Sequence, residues 1–352
     1  MRRAIPVLAA AAALVAAGCG GTHRPATRVT DTLSLSPAAA VTTGVQGLFD
    51  GSALTMTAGL SGSPAALQAV ASAGGGHALS ATDLQLASTA TVVLAARAGG
   101  RSFAADDGGE RDGSLALTVA ASGDPALVQL IYAGQTLYAR ADLTTIAGVL
   151  GEAGEVARIA AEPDLPGTYA FLRTAAGGGW VSVSYAALVS QLKTSSPSGI
   201  PTVSPGQAGD LRSALEALLR SDVSATRAPA DPTLGDHLVL TADSHALVAG
   251  LLAATTEDLA DLPGVPELLR LVPPGGAPAQ PVRIEAYVRD GTLDALSIDL
   301  GQLLDPAQRA ALAGRPLAVT VRFSPAASVT PPAGAAVVSP SALAGLLTLA
   351  GG

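Results

Sequence analysis

The sequence predicts an α+β fold in which single-faced, mostly antiparallel strands pack on helices, and three observations carry this. Leu115, Leu117 and Val119 alternate with small or polar residues, Val282, Ile284, Ala286 and Val288 with Arg283, Glu285, Tyr287 and Arg289, and Leu317, Val319, Val321 and Phe323 with Ala318, Thr320 and Arg322. A period of two is that of a strand with one dry face. The strands are joined by short turns, which favours antiparallel pairing, and the helical stretches are too few and too clustered for a parallel βαβ array.

Each element follows from local signals. Gly20 to about Ser36 is a short polar tether. Ser36-Pro37 opens a helix to about Phe49, with Ser as N-cap and Pro at the first helical position. Ser52–Leu60 reads as a strand, Pro64–Ala73 and Ser80–Ala87 as short helices split by Gly74-Gly75-Gly76, and Thr89–Arg97 as a strand. Asp106–Gly113 is a charged loop. Ala126–Tyr132 and Thr136–Ala141 form a hairpin about Gly134, and Asp142 caps a helix whose Leu143, Ile146 and Leu150 share a face until Gly151 stops it. Trp180–Ser184 is a strand running into a helix near Leu192.

Ser195–Gly206, with three prolines in twelve residues, is the clearest linker. Beyond it lie an amphipathic helix carrying Leu211, Leu215, Leu218 and Leu219, strands Val223–Pro229 and His237–Asp243, a helix carrying Leu247 and Leu251, and an irregular stretch, Pro263–Pro281, with six prolines. At Asp290-Gly291 a two-residue turn sets Glu285 opposite Leu296 and mixes the faces. Burial therefore selects a three-residue loop, Arg289-Asp290-Gly291, which pairs Ile284 with Leu296 and Val282 with Ile298.

Ahead of the domain, Arg2 and Arg3 precede an almost unbroken apolar run, Ala4–Ala17, closed by small residues before the only cysteine, Cys19. This order is that of a secretory signal of the lipoprotein kind. It resembles the bacterial lipobox, with Ala16 where that pattern prefers Leu. The resemblance implies cleavage after Gly18, acylation of Cys19 and a lipid anchor in the cell membrane, on its extracytoplasmic face; an ordinary cleaved signal with an incidental cysteine is the alternative. The run is shorter than the roughly 20 residues that span a bilayer. The organisation then reads as signal peptide 1–18, lipidated tether 19–35, one large domain 36–332 divisible at 195–206, and a C-terminal tail 333–352 with a short helix.

Losing Arg2 and Arg3 leaves 18 basic against 28 acidic residues, a net charge of −10. With no basic block and a single lysine, Lys193, the acidic chain is a poor candidate for binding nucleic acid or anionic lipid headgroups. Aromatic residues are 3% of the chain, too few for stacking platforms, so Leu, Val and Ala do the burying. The absence of Asn and scarcity of Lys reflect codon bias in a GC-rich genome. With Cys19 acylated, no thiol remains for disulfides, redox chemistry or thiolate metal sites.

No catalytic motif is complete. Ser190-Gln191-Leu192-Lys193 has the S-x-x-K spacing of serine-type penicillin-binding enzymes, but their Asn-containing partner motifs cannot exist in a chain without Asn; a solvated helix end explains it better. His237 and His245, with Asp236 and Asp243, flank one strand, yet a strand end and a helix cap account for them without a metal. Asp106, Asp107, Glu110 and Asp112 lack the spacing of a calcium loop. Thr255 with Asp258 is an acidic variant of a capping box. His23 falls in the tether and His77 after a glycine run, and the sole Trp180 reads as core rather than ligand mouth. The expectation is a protein without catalytic residues, metal or cofactor.

Four stretches carry a family likeness: LIYAGQTLYARADL (Leu130–Leu143), GGGWVSVSYAAL (Gly177–Leu188), PVRIEAYVRDGTLDALSIDLGQL (Pro281–Leu303) and the closing LAVTVRFSPAASVTPP. Together with the lipobox-like start and the opening helix, their order resembles the LppX/LprG-type lipoproteins of actinobacteria, over roughly Ser36–Pro332. The resemblance implies a half-barrel, one curved antiparallel sheet wrapped over helices and similar to the LolA and LolB carriers, that holds acyl chains of glycolipids or lipoproteins. The physical expectation is an apolar space lined by Leu115, Leu117, Val119, Ile284, Leu296 and Val319, in a monomer whose partners are an acylated lipid or glycolipid and the membrane. Each methylene buried there contributes about 0.8 kcal/mol. The alternative is a closed core in a surface lipoprotein acting as a scaffold or interaction module.

Overall fold

The structure of the protein, a computed structural model, describes residues 32–73, 80–100, 102–103, 113–121, 126–150, 153–162, 166–195, 223–243, 280–304 and 306–344. The signal peptide, Cys19 and the tether up to Asp31 lie outside them. So do the acidic loop residues 106–112, the linker beyond Ser195, the helices expected at Leu211–Leu219 and Leu247–Leu251, the Pro-rich stretch before Gln280, and His23, His77, His245, Thr255 and Asp258.

In chain order the first described elements are helix α1 (Pro37–Phe49), strand β1 (Ala53–Gly62), helices α2 (Pro64–Ala73) and α3 (Ala81–Thr89), and strands β2 (Thr91–Arg97), β3 (Ser114–Ala120), β4 (Val128–Ala133) and β5 (Thr136–Ala141). Helices α4 (Leu143–Leu150), α5 (Ala153–Ala161) and α6 (Phe171–Ala176) follow, then strand β6 (Val181–Ser184) and helix α7 (Tyr185–Ser195). The remainder is β7 (Val223–Arg227), β8 (Asp236–Asp243), β9 (Pro281–Arg289), β10 (Thr292–Asp299), helix α8 (Pro306–Leu312), β11 (Leu317–Ser324) and β12 (Ala336–Val337). The expected α+β class holds, antiparallel sheet with helices.

The chain forms two compact units: Met1–Thr89 with Gly100–Gly109 and Pro201–Ala326, and Ala90–Gly99 with Glu110–Ile200 and Ala327–Gly352. In the first unit the strand order is β1-β11-β10-β9-β8-β7, antiparallel throughout. In the second it is β2-β3-β4-β5-β6-β12, antiparallel except for the last pair, which is parallel.

Helix α1 begins where the sequence marks it. The Ser36 hydroxyl accepts the Ala39 N–H at 3.3 Å and Pro37 occupies the first helical position. Its Ala40, Val41, Gly44 and Leu48 are buried against β7, β9 and β10. Two glycines permit the close approach: a Cβ on Gly44 would meet Val288 Cγ2 at 2.9 Å, and one on Gly47 would meet the Gly291 carbonyl oxygen at 2.2 Å.

The β9–β10 hairpin corrects one expectation. Its loop has two residues, Asp290 (φ 50°) and Gly291 (φ 72°), with Arg289 opposite Thr292, the geometry of a type I′ turn. The faces stay unmixed because the register shifts between Leu293 and Ala295, so that Leu296 pairs with Ala286 and Ile298 with Ile284. A β-bulge at Asp294 thus does what a third loop residue was expected to do, and its carboxylate is held by Arg289 Nη2 at 2.7 Å. Burial fixes the face in both cases; the turn with matching twist wins the loop. Gly134 (φ 55°) and Gln135 (φ 60°) make the same two-residue turn between β4 and β5.

Candidate functional site

Reading the pairings of the second unit across its strands gives three rows on one face of the sheet. Ala96, Leu115, Tyr132, Leu137 and Val183 form the first; Leu94, Leu117, Leu130, Ala139 and Val181 the second; Val92, Val119, Val128 and Ala141 the third. Every one of these side chains is hydrocarbon except for the Tyr132 phenol. The opposite face is mixed, with Thr91, Arg97, Ser114, Thr118, Gln129, Arg140 and Ser182 among its residues. The apolar rows cross five strands, about 19 Å at the usual inter-strand spacing, and extend about 14 Å along them.

This face is not sealed. Leu94 is 8% exposed, Leu115 is 43% exposed, and the others are half-buried. Scattered apolar residues at a surface need no explanation, whereas a contiguous patch of this size does. The unit's helices pack chiefly on one another, α4 with α5 and α5 with α6, while α6 and α7 touch the sheet at β6. Beyond the first row lies Tyr185, the opening residue of α7, whose ring meets the Tyr132 ring edge-on with centroids 5.3 Å apart. At the third row, β5 passes straight into α4 through the Asp142 cap, which accepts the Thr145 N–H at 2.9 Å and the Thr145 hydroxyl at 2.7 Å. Those hydrogen bonds, the backbone one first, hold the Asp142 carboxyl below its ordinary value of 3.8.

The dry face of the first unit's sheet is different. Leu54, Met56, Ala58, Leu238, Leu240, Ala242, Val282, Ala286, Val288, Leu293, Leu317, Val319 and Val321 are all buried, while a strip formed by Leu60, Ile284, Leu296, Ile298 and Phe323, and the edge residues Val223 and Ala225, are half-buried. Six residues were expected to line an apolar space. Leu115, Leu117 and Val119 stand together in the open face of the second unit. Ile284 and Leu296 lie in the half-buried strip of the first, and Val319, 4% exposed, is packed beside them.

Sequence reasoning missed most of the open face: Val92, Leu94, Val128, Leu130, Leu137, Val181 and Val183. Each strand's alternation was visible, but which residues align across strands depends on register, which the turns and bulges set.

The wet face of the first unit carries the other chemistry-bearing cluster. His237 Nε2 pairs with Glu285 Oε2, and the imidazole stacks on Tyr287 with centroids 4.6 Å apart and planes 13° from parallel. Burial first, and the Glu285 charge second, push the Tyr287 phenol above its ordinary pKa. The neighbouring Asp236 points to the opposite face, where it is buried and takes two hydrogen bonds of 3.0 Å from Arg227. The same guanidinium donates to the carbonyls of Thr32, Leu33 and Leu35, pinning the segment ahead of α1 to β7. Among the described residues no three His, Cys, Asp or Glu side chains gather as a metal site. Ser190 is exposed on α7, and the half-buried Trp180 has the Arg140 guanidinium 5.6 Å from its ring centroid. No helix among the described residues is long and apolar enough to cross a membrane.

Several solved structures are similar to this chain, two of them proteins of mycobacteria. One is LprF from Mycobacterium bovis, at 11% identity and a TM-score of 0.35, over 85% of this chain and 97% of that one. The other is the Mycobacterium tuberculosis lipoprotein LppX, at 9% identity and a TM-score of 0.32, over 83% of this chain and 97% of that one. No family model and no curated protein sequence matches the chain.

Proposed function

We propose that the protein is a lipoprotein acylated at Cys19, held at the extracytoplasmic face of the cell membrane, and that it binds the acyl chains of a lipid or glycolipid without catalysing a reaction. One observation carries this reading: fourteen aligned side chains on the second unit's sheet, hydrocarbon but for one phenol, of which Leu94 alone is buried. The part of that surface left in water is unfavourable by about 25 cal/mol for each Å², and a saturated chain laid on it relieves that cost on both partners. The uncharged rows suit the hydrocarbon part of a ligand and give an ionic group nothing to pair with.

Native mass spectrometry of the full chain, expressed in a bacterial membrane and released gently, tests the reading. A lipid of definite mass that stays bound supports it. A clean apo mass, with no uptake of added lipid, sinks it. The buried residues of the first unit favour the scaffold reading for that part of the chain: Leu238, Val282 and Ala286 leave no room for a guest.

A further inference from the structure

We infer that the reverse face of the second unit's sheet, around Arg140 and Trp180, binds a sugar or polyol that carries a single oxyanion. Cross-strand register sets Val93, Thr118, Gln129 and Arg140 in one row on that face. The Arg140 guanidinium continues the row over the Trp180 ring, 5.6 Å from its centroid. The next row, about 7 Å along the strands, places Tyr138 beside Ser182. No carboxylate occupies a paired position on this face, although the chain carries a net charge of −8.

Arg140 differs from the arginines that the sheets pair internally. Arg227 is held by Asp236 and Arg289 by Asp294, whereas among the described residues Arg140 meets only the indole. Stacking uses the flat face of a guanidinium and leaves its N–H edge for a planar acceptor. Both Arg140 and Trp180 are half-buried, so a charge-assisted hydrogen bond made there is stronger than one in open water. The site is still reachable. Gln68 Oε1 is the one sealed side-chain polar atom without a partner among the described residues, so the unbonded polar atoms of Gln129, Tyr138 and Arg140 touch solvent.

A single cation suits a ligand of one negative charge. Arg97, the other arginine paired on this face, stands three strands and four residues away, about 20 Å, too far to share one phosphate. The Gln129 amide and the hydroxyls of Thr118 and Tyr138 match the uncharged hydroxyls of a sugar ring. A carboxylate and a phosphodiester both supply the oxyanion.

Trp180 is the only tryptophan of the chain, so its fluorescence reports on this site. The full chain is titrated with glucuronate, with glycerophosphoinositol and with glucose, and again as Arg140→Gln and Arg140→Lys. The expected result is a saturable change in emission with one or both anions, which also tells carboxylate from phosphodiester. Binding is about tenfold weaker for glucose and in Arg140→Gln, the loss of a charge-assisted hydrogen bond, while Arg140→Lys, which keeps the charge without the fork, falls between. No saturable change with either anion, equal affinity for glucose, or unchanged affinity in Arg140→Gln overturns the assignment. The comparison with glucose in the unaltered chain decides the matter even where a variant fails to fold, and lipid binding on the other face stands or falls separately by native mass spectrometry.

Discussion

In the first unit α1 settles on its sheet through Gly44 and Gly47, and Leu238, Val282 and Ala286 have no exposed surface. In the second unit thirteen of fourteen residues in equally regular alternation stay half-open, with Leu115 at 43% and Leu94 alone buried. Strand periodicity is the same in both. What differs is the partner: a helix with small residues on its contact face can reach the sheet and fill the space, whereas α4, α5 and α6 pack largely on one another. An alternating strand therefore specifies which face is dry, and the covering element decides whether that face becomes core or binding surface.

The contrast can be broken most sharply in the first unit. Leu238→Ala should cost about 3 kcal/mol, the transfer and cavity terms of a fully buried leucine, read as a lowered urea midpoint. Leu117→Ala, the matched change in the second unit, should cost about half as much, because that side chain is only half-buried, while lipid retained in native mass spectrometry falls. Equal losses of stability at the two positions would erase the distinction.

Gly47→Ala should cost about 2 kcal/mol, since the added methyl meets the Gly291 carbonyl oxygen at 2.2 Å and pushes α1 off the hairpin. Urea titration measures the cost. Arg227→Met should cost a similar amount, about 2 kcal/mol, by leaving the Asp236 carboxylate buried without its partner. Its second signature is faster proteolysis of the segment around Thr32–Leu35, which that guanidinium holds.

The smallest effect is at the Asp142 cap, where Asp142→Ala should cost about 1 kcal/mol at neutral pH. The folded-state pKa of this largely exposed carboxyl is depressed below 3.8. Its stabilisation is therefore complete above the unfolded value and is lost as pH falls through the folded one. Wild type and variant should differ in stability at neutral pH and converge in strong acid.

Much of the fold was legible because its signals are local. Ser36-Pro37 marks the start of α1, Asp142 that of α4, and Gly134 and Gly291 mark hairpins through positive φ. The Asp294 bulge was not legible, because two loop lengths met the same burial requirement and only backbone twist separates them. The candidate site was half legible. Leu115, Leu117 and Val119 announce a dry face by their spacing, but the matching of Leu117 with Leu94 and Leu130 is a matter of register. The pairing of His237 with Glu285 joins strands far apart in sequence, which no local pattern encodes.

The most direct test of the contrast is carbene footprinting with a small photoreactive diazirine, on delipidated and lipid-loaded protein. The account predicts labelling of Leu115, Leu117, Leu130 and Val119 in the delipidated protein that is suppressed by lipid, with Met56, Leu238 and Val288 unlabelled in both. Labelling of the second unit's rows that lipid leaves unchanged, or an absence of labelling there from the start, would contradict it.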